Sequence, residues 1–286
     1  MGTKTSFKDL NLSNAYLFAV TLADEDICKL VLETCIGREL PELIVAHTEH
    51  TVLMSSDFRS VRFDVYAKDS SDVSYDLEVQ NKDTKELGLR SRFYQGQIDI
   101  QSMEPGDLFK ELQPSYVIFI CTFDPFDQGL YKYTIQSACI ETGEIVDDGA
   151  TKIFLNTEGT RGEASCELKN LLRYIKKSTK DVVDELDQNS AIHIIHRKVT
   201  EVKNNSRLEG AFMTGQEWLD EQLEEMFEEK FEEAKEAVLK EGLEQGLEQG
   251  LEQGLEQGRI EILRMLQSGA TIEEIELYMA KKTQVD

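Results

Sequence analysis

The amino-acid sequence predicts a mixed α/β sheet with helices packed on both of its faces. Two neighbouring segments, 61–66 and 75–80, alternate apolar with polar residues, which is the pattern of strands with one buried face. The nearly continuous apolar segment Tyr116–Phe123 predicts a strand covered on both faces. Segments with apolar residues at every third or fourth position flank these strands and predict helices. A chain of 286 residues accommodates one large domain with an appendage, or two domains.

The segment Ser60–Asn81 predicts a β-hairpin whose two faces differ in chemistry. Alternate residues supply an apolar face, and the residues between them supply a polar face that contains Arg62, Asp64, Tyr66, Asp76, Glu78 and Gln80. A register with Asp64 opposite Glu78 would also set Arg62 opposite Gln80, with Cβ atoms about 5 Å apart within each pair. Two carboxylates that close repel each other unless they share a cation, and oxygen ligands of this kind suit Mg²⁺ or Mn²⁺.

Asp64, followed by a strand that carries Glu78-Val79-Gln80, resembles the D…(D/E)-x-K core of the PD-(D/E)XK nuclease superfamily. Further stretches are similar to its recombination-promoting nuclease and putative transposase branch: Arg90–Asp99, Glu104–Gly106, Tyr116–Phe126 and Thr151–Thr157. The similar region runs from about residue 10 to about residue 200. The resemblance implies a restriction-endonuclease-like sheet with a helical C-terminal tail. It also implies a Mg²⁺-dependent DNA endonuclease that promotes recombination or acts in defence or mobile-element biology.

The same resemblance assigns roles to the hairpin residues. Asp64, Glu78 and the Val79 carbonyl would hold the metal, and Gln80 stands where the superfamily usually has lysine. Glutamine carries no charge, so Gln80 could only orient the attacking water, whose deprotonation would depend on the metal. The missing lysine leaves a second interpretation open. The chain could be a catalytically inactive scaffold that binds a protein partner through its acidic tail.

Two helices contribute further candidates. Glu33 lies on a helix predicted over Leu10–Ile36, with a fresh start at Ala23–Asp26. The resemblance implies that Glu33 assists the metal; the alternative is an exposed helical glutamate without a role. A helix predicted over Thr84–Gln101 would direct Leu89, Phe93, Gly96 and Ile100 toward the sheet. Its adjacent polar residues would overlook the metal site, with Arg90 contacting a phosphate, or form a solvated flank: Arg90, Tyr94, Gln97 and Gln101.

A basic stripe lies on a long helix predicted over Glu163–Leu186. It is formed by Lys169, Arg173, Lys176, Lys177 and Lys180. Such a row of positive charges suits contacts with the DNA backbone, although it is also a common form of solvated helix face. Strands are predicted over 42–54, Tyr131–Glu141 and Lys152–Leu155, one of them at a sheet edge.

Charge and cysteine content bound the cellular context. The net charge is −24, and residues 208–286 account for −14 of it with 7 basic and 21 acidic residues. Five cysteines without a CxxC motif predict reduced thiols in the core and a cytoplasmic protein. No signal peptide or membrane span is evident. The pairs His47/His50 and His193/His196 each offer only two ligands, so zinc is not expected.

We expect residues 1–207 to form the nuclease domain and residues 208–286 to form an acidic helical tail. Gly-Leu-Glu-Gln repeats occupy 242–258, and each glycine costs a helix about 1 kcal/mol relative to alanine. The preceding segment carries Trp218, Phe227 and Phe231 on one helical stripe, which must be buried against something. We therefore expect the C-terminal helices to join the protein into a homo-oligomer. A capping box is predicted at Thr271–Glu274.

Overall fold

The computed structural model describes residues 6–52, 61–215, 250, 253–269 and 271–282, without the side chains of 45–52, 61–63 and 280–282. The chain divides into two compact units, Met1–Thr214 and Gly215–Asp286. Phe212 is buried in the first unit, with its ring 5.4 Å from that of Phe7. Residues just beyond 207 therefore pack with the first unit.

A mixed sheet forms the centre of the first unit, as the sequence predicts. Its six described strands have the spatial order β1-β2-β3-β4-β6-β5. The pairs β3–β4 and β4–β6 are parallel, and the other neighbours are antiparallel. The carboxyl ends of the three central strands therefore share one edge of the sheet. The bounds are β1 Leu43–Val52, β2 Val61–Asp69, β3 Ser74–Gln80, β4 Ser115–Cys121, β5 Lys132–Ile135 and β6 Ala150–Asn156.

Helices cover both faces of this sheet and create two unequal cores. The larger core lies under five helices and contains Leu77 and Val79 of β3. The smaller core lies under a single helix, α3, and contains Phe119 and Phe154. The helices are α1 Ala15–Leu22, α2 Glu25–Ile36, α3 Leu87–Gln101, α4 Cys166–Lys176, α5 Lys180–Asp184 and α6 Ile192–Lys203. Because successive strand residues face opposite ways, Asp76 and Glu78 lie on the α3 side.

The N-terminal helical region is divided as its capping residues dictate. The side chain of Asn14 accepts a hydrogen bond from Leu17 N and begins α1, and that of Asp24 accepts one from Ile27 N and begins α2. The fresh start predicted at Ala23–Asp26 is confirmed. The predicted beginning at Leu10 is wrong, because a short 3₁₀ helix, Phe7–Asp9, and a turn at residues 12–13 precede Asn14.

The long helix predicted over Glu163–Leu186 is also wrong, since α4 and α5 are separate. Ser178 lies in the break and is tied to the N-terminal segment. Its backbone N–H donates to Asn11 Oδ1 (2.9 Å), and its Oγ accepts from Leu12 N (2.7 Å) and donates to the Tyr174 carbonyl (2.9 Å). These tertiary hydrogen bonds replace the helical ones that Ser178 would otherwise make.

Helix α3 is rotated relative to the prediction. Leu89, Phe93 and Ile100 are 62%, 40% and 55% exposed, and a Cβ added at Gly96 would have no atom within 4 Å. The buried positions are Leu87, Ser91, Gln95, Gln97 and Ile98. These positions pack mainly against β4: Leu87 and Ile98 share the smaller core with Phe119, and Gln95 donates to Ser115 Oγ.

The open surroundings of Gly96 give a stability prediction. Gly96→Ala should stabilise the protein by about 0.5–1 kcal/mol, because alanine restricts the unfolded chain and fits the helix. The matched change Gly159→Ala should destabilise it, since the new Cβ would lie 2.7 Å from Tyr131 Cα. Thermal melts would measure both. Equal effects of the two substitutions would contradict this prediction.

All five cysteines are free thiols, but only part of the predicted core placement is correct. Cys28, Cys35 and Cys121 are buried, whereas Cys139 is half-buried and Cys166 is exposed. Burial raises the pKa of the Cys28 and Cys121 thiols to about 12. These two thiols therefore stay protonated at neutral pH and react slowly.

The described part of the second unit is helical. Residues 253–267 form one helix, and Ile272–Lys282 forms another, with Tyr278 Oη donating to Glu261 Oε1 (2.6 Å). The predicted capping box is confirmed, because Thr271 N donates to Glu274 Oε2 (2.9 Å) and Glu274 N donates to Thr271 Oγ1 (3.4 Å). Trp218, Phe227, Phe231 and most of the repeats lie outside the described residues. Within the described ranges, no helix is long and apolar enough to cross a membrane.

Candidate active site

The candidate site lies where β2 and β3 stop pairing through their backbones. Their paired register runs from Lys68 and Ser74 to Val65 and Leu77. Beyond it, Asp64 N donates to Glu78 Oε1 (2.9 Å), and Val79 N donates to Asp64 Oδ2 (3.1 Å). Each carboxylate is thus held by a backbone amide of the opposite strand. This places Asp64 beside Glu78, as the expected register requires.

The register also predicts Arg62 opposite Gln80, but the backbone pairing of β2 and β3 does not extend to these two residues. The β2–β3 ladder ends at Val65, and the Arg62 side chain lies outside the described residues. The N–H and C=O of one strand residue face the same neighbouring strand. Since Val79 N–H points to Asp64, the Val79 carbonyl also faces the β2 side. That orientation fits its predicted role as a ligand.

Both faces of β3 are buried, in contrast to the half-buried strand that alternation predicts. Asp76 is 0% exposed and Glu78 is 3% exposed, because α3 covers the acidic face. Neither Asp76 oxygen has a hydrogen-bond partner within the described parts of the chain. Asp76 is not among the site residues predicted from the sequence. Its position two residues before Glu78, on the same strand face, was the available signal.

The three acids are electrostatically unfavourable neighbours. Burial and then the charge of Asp64 raise the pKa of Glu78 to about 8. Burial, followed by the charges of Glu78 and Asp64, raises the pKa of Asp76 well above its usual value. The ionised forms of Glu78 and Asp76 lack the solvation they would have in water, so an added cation would stabilise the group.

Helix α3 brings two of its predicted polar residues over these acids. Arg90 Nη2 lies 3.6 Å from Glu78 Oε2 and donates to Tyr94 Oη (3.0 Å). The guanidinium carbon also lies 5.5 Å from the ring centroids of Tyr94 and Phe119. Gln97 is buried on the same helix, and its Oε1 has no hydrogen-bond partner among the residues described. Gln101 is exposed.

Both ends of the Gln80 amide are engaged. Oε1 accepts from Arg90 Nη1 (2.5 Å), and Nε2 donates to the Lys82 carbonyl (2.9 Å). The oxygen of the Gln80 amide must face Arg90, since a guanidinium can only donate hydrogen bonds. Gln80 therefore contacts Arg90 at the edge of the acidic group.

Glu33 lies in another part of the fold. It is on α2, and the buried side chains of α2 pack in the larger core, on the opposite face of the sheet from Glu78. Glu33 Oε1 accepts from Leu40 N (2.9 Å) and lies 3.7 Å from Lys29 Nζ. These contacts fix the chain after α2. The structure does not bring Glu33 to the hairpin acids.

The basic stripe is divided between α4 and α5, and acidic neighbours partner most of it. Arg173 pairs with Glu185, and Lys176 pairs with Glu158. Lys180 Nζ lies 2.6 Å from Asp184, and Lys177 Nζ lies 3.8 Å from Asp181. Lys169 instead stacks its ammonium 5.2 Å from the Tyr131 ring centroid. DNA phosphates would have to displace these carboxylates, and exposed ion pairs of this kind contribute little free energy.

The donor set at the hairpin fits a hard divalent cation. It consists of the half-buried Asp64 carboxylate and the buried Glu78 carboxylate on adjacent strands, with a backbone carbonyl directed to the same side. Within the described residues, no three His, Cys, Asp or Glu side chains converge as a metal group, so water and phosphate oxygens would complete the shell. His196 Nδ1 contacts Tyr174 Oη (2.8 Å), and His193 Nε2 contacts the Asp187 carbonyl (3.1 Å).

A comparison with protein families matches residues 15–237 to the family described as PD-(D/E)XK nuclease family transposase. The chain belongs to this family. Its members carry nuclease or transposase-type function, and nucleases of the superfamily generally use divalent metals. The mixed sheet with flanking helices agrees with the restriction-endonuclease-like fold of such nucleases. Neither the curated proteins nor the solved structures provide a match.

Proposed function

We propose that this PD-(D/E)XK family protein is a Mg²⁺- or Mn²⁺-dependent DNA endonuclease. The pair of Asp64 and Glu78 carries the proposal. The two carboxylates lie on adjacent strands, each held by the other strand's backbone, in surroundings that raise the pKa of Glu78 to about 8. Such a site gains stability from a divalent cation, and a cation there could meet a phosphodiester.

The chemistry is hydrolysis of a phosphodiester bond. A water oxygen bonds to phosphorus, one P–O ester bond breaks, and the water proton ends on the leaving oxygen. A bound divalent ion would supply charge stabilisation and lower the pKa of the attacking water. Asp64, Glu78 and the Val79 carbonyl would hold that ion, while α3 covers the acids from above and restricts water. No oxidant or further reactant is required.

The direct test uses supercoiled plasmid DNA. Purified protein should convert it to nicked and linear forms with Mg²⁺ or Mn²⁺, and EDTA should stop the reaction. Ca²⁺ serves as a control that occupies oxygen sites with a looser geometry than Mg²⁺. Cleavage in EDTA would remove the metal from the mechanism, and an absence of cleavage with every metal would reject the proposed activity.

A non-catalytic scaffold is the second candidate. Ion pairs on the basic stripe favour the scaffold, because they reduce the positive surface available to DNA. Acidic side chains already pair with Arg173, Lys176, Lys177 and Lys180. The scaffold and the nuclease are expected to respond differently to Mg²⁺. A scaffold should show no saturable rise in melting temperature with Mg²⁺, whereas a nuclease should show one that Asp64→Asn abolishes.

The recombination or mobile-element role, the cytoplasmic location and the homo-oligomer belong to the same proposal. In the second unit, Leu255, Leu263 and Leu277 are exposed apolar side chains on helices. A large side chain that becomes buried contributes about 2–3 kcal/mol, so pairing with a second copy would stabilise this unit. Two nuclease sites joined in this way could cut both strands of a duplex.

A truncation tests the proposed role of the tail. A protein that ends at Thr214 keeps Phe212 in its core and should be a monomer that still nicks plasmid DNA. Linear product should fall by a larger factor than nicked product, because two strands must then be cut independently. Light scattering gives the oligomeric state. A full-length monomer, or a truncated dimer, would show that the tail is not the association element.

A further inference from the structure

We propose that Arg90 supplies the reaction centre with the positive charge that Gln80 cannot carry, and that Gln80 is the residue that positions Arg90. The inference rests on the proposed nuclease function and assigns Gln80 a different role from the one expected from sequence. There, Gln80 was expected to orient the attacking water. The hydrogen bonds of its amide point to Arg90 instead.

The first observation is the engagement of Gln80 at both ends. Its Oε1 accepts from Arg90 Nη1, and its Nε2 donates to the Lys82 carbonyl. An amide fixed between a backbone carbonyl and a guanidinium has a defined orientation. It holds the guanidinium at the carboxyl end of β3, where the acids lie.

The second observation is how firmly Arg90 is placed. Tyr94 Oη accepts from Nη2 at 3.0 Å, and the rings of Tyr94 and Phe119 lie near the guanidinium. A guanidinium over aromatic faces gains cation–π stabilisation, and its planar shape suits stacking better than an ammonium does. The base of the side chain is on α3, a rigid element. Arg90 therefore cannot swing away without losing several contacts.

The third observation is the match between the remaining donors and a phosphate. A guanidinium has five N–H groups, and among the residues that the structure describes Gln80 and Tyr94 each accept from one of them. Glu78 Oε2 lies 3.6 Å away, which is beyond a strong hydrogen bond. The Arg90 fork is therefore positioned beside the acids with donors to offer to a phosphodiester oxygen.

The charge requirement explains why such a residue is useful. As water adds to phosphorus, negative charge grows on the phosphate oxygens, and donors already in place lower that barrier without reorganisation. The acids at the site would otherwise repel the phosphate. Arg90, on α3, offsets this repulsion, while the neutral Gln80 occupies the strand position two residues after Glu78.

A charge relocation tests the inference. Arg90→Gln should lower kcat about 100-fold, with a smaller change in KM, because the interaction strengthens in the transition state. Arg90→Lys should recover only part of the loss, since it lacks the planar fork. The double variant Gln80→Lys/Arg90→Gln should regain at least about tenfold over Arg90→Gln, because it returns a positive charge to the site from the strand side. Arg92→Gln, two residues along the same helix and exposed, is the matched control and should cleave normally.

A double-mutant cycle assigns the role of Gln80. Gln80→Ala should slow the wild-type protein but cause no further loss in the Arg90→Gln background, because its effect acts through Arg90. An equal loss in both backgrounds would mean that Gln80 acts on the water independently, and the inference would be wrong. A charge-relocated variant that fails to recover would also overturn it.

Metal binding supplies a readout besides cleavage. With Arg90 removed, the acids lose a nearby cation, so Arg90→Gln should bind Mg²⁺ more tightly in calorimetry, by several-fold. Looser or unchanged binding would contradict the position given to Arg90. A wild-type protein that neither cleaves DNA nor binds Mg²⁺ would reject the proposed function and the inference together. A wild-type protein that cleaves, with additive cycles, would reject the inference alone.

Discussion

Asp64→Asn and Glu78→Gln should each reduce Mg²⁺-dependent plasmid cleavage by about 10³-fold or more. Each substitution keeps the size of the side chain and removes one anionic ligand, and a metal ion contributes several kcal/mol to the stabilisation of transition-state charge. The loss should appear with Mn²⁺ as well. Initial rates of nicking at saturating metal measure it, and calorimetry should show weaker Mg²⁺ binding in both variants.

The controls separate chemistry from folding. Glu104→Gln changes an exposed carboxylate outside the site and should cleave at the wild-type rate. Circular dichroism spectra of the two site variants should match the wild-type spectrum, since the amides can still accept the hydrogen bonds of Asp64 N and Val79 N. If either variant cleaves within tenfold of wild type while binding Mg²⁺ normally, the hairpin acids are not the metal ligands.

The metal-free protein should lose stability as the pH rises from about 5 to about 8. Burial raises the pKa of Glu78 from 4.5 in the unfolded chain to about 8 in the folded protein. Between these values the folded state binds more protons than the unfolded state, so the free energy of unfolding falls with increasing pH. Asp76 acts in the same direction. The contribution is fully present below the unfolded pKa of Glu78 and is lost as the pH passes the folded value.

Melting temperatures in EDTA across this range measure the effect. One unit of pKa shift corresponds to about 1.4 kcal/mol, and 1 kcal/mol shifts the melting temperature of a domain of this size by about 2–4 °C, so a fall of several degrees is expected. Glu78→Gln should flatten the curve and melt above wild type at pH 8. Saturating Mg²⁺ should raise the wild-type curve most at high pH. A wild-type curve that is flat in EDTA would mean that Glu78 ionises normally.

Strand periodicity was sufficient to place most of the sheet and the two hairpin carboxylates. The alternation around Asp64 and Glu78 predicts both strands and the placement of these two residues on the same face of the sheet. The apolar segment near Phe119 predicts β4, which is buried on both faces. These features depend on local residue order and on a turn, so the sequence contains the information needed. Family membership also followed from the order of these residues.

The burial of Asp76 and the rotation of α3 depend on contacts between distant segments. Alternation identifies a polar strand face but does not show whether a helix covers it. An apolar stripe of Leu89, Phe93 and Ile100 satisfies helical spacing as well as the observed buried stripe does. The packing of Leu87 and Ile98 against Phe119 of β4 decides between them. Likewise, the ties of Ser178 to the N-terminal segment break α4 from α5, and no local pattern marks them.

The turn between Asp69 and Ser74 restricts how this protein can evolve. Its outer residues are exposed, with Asp72 at φ 64°, and Asp69 Oδ1 accepts from the amides of Ser71 and Val73. Loops of this kind normally tolerate insertions. Here, a net change of one residue that no β-bulge absorbs would shift the pairing by one and turn Asp64 toward the face of Leu77. On the proposed nuclease function, a one-residue insertion at this turn should therefore abolish cleavage.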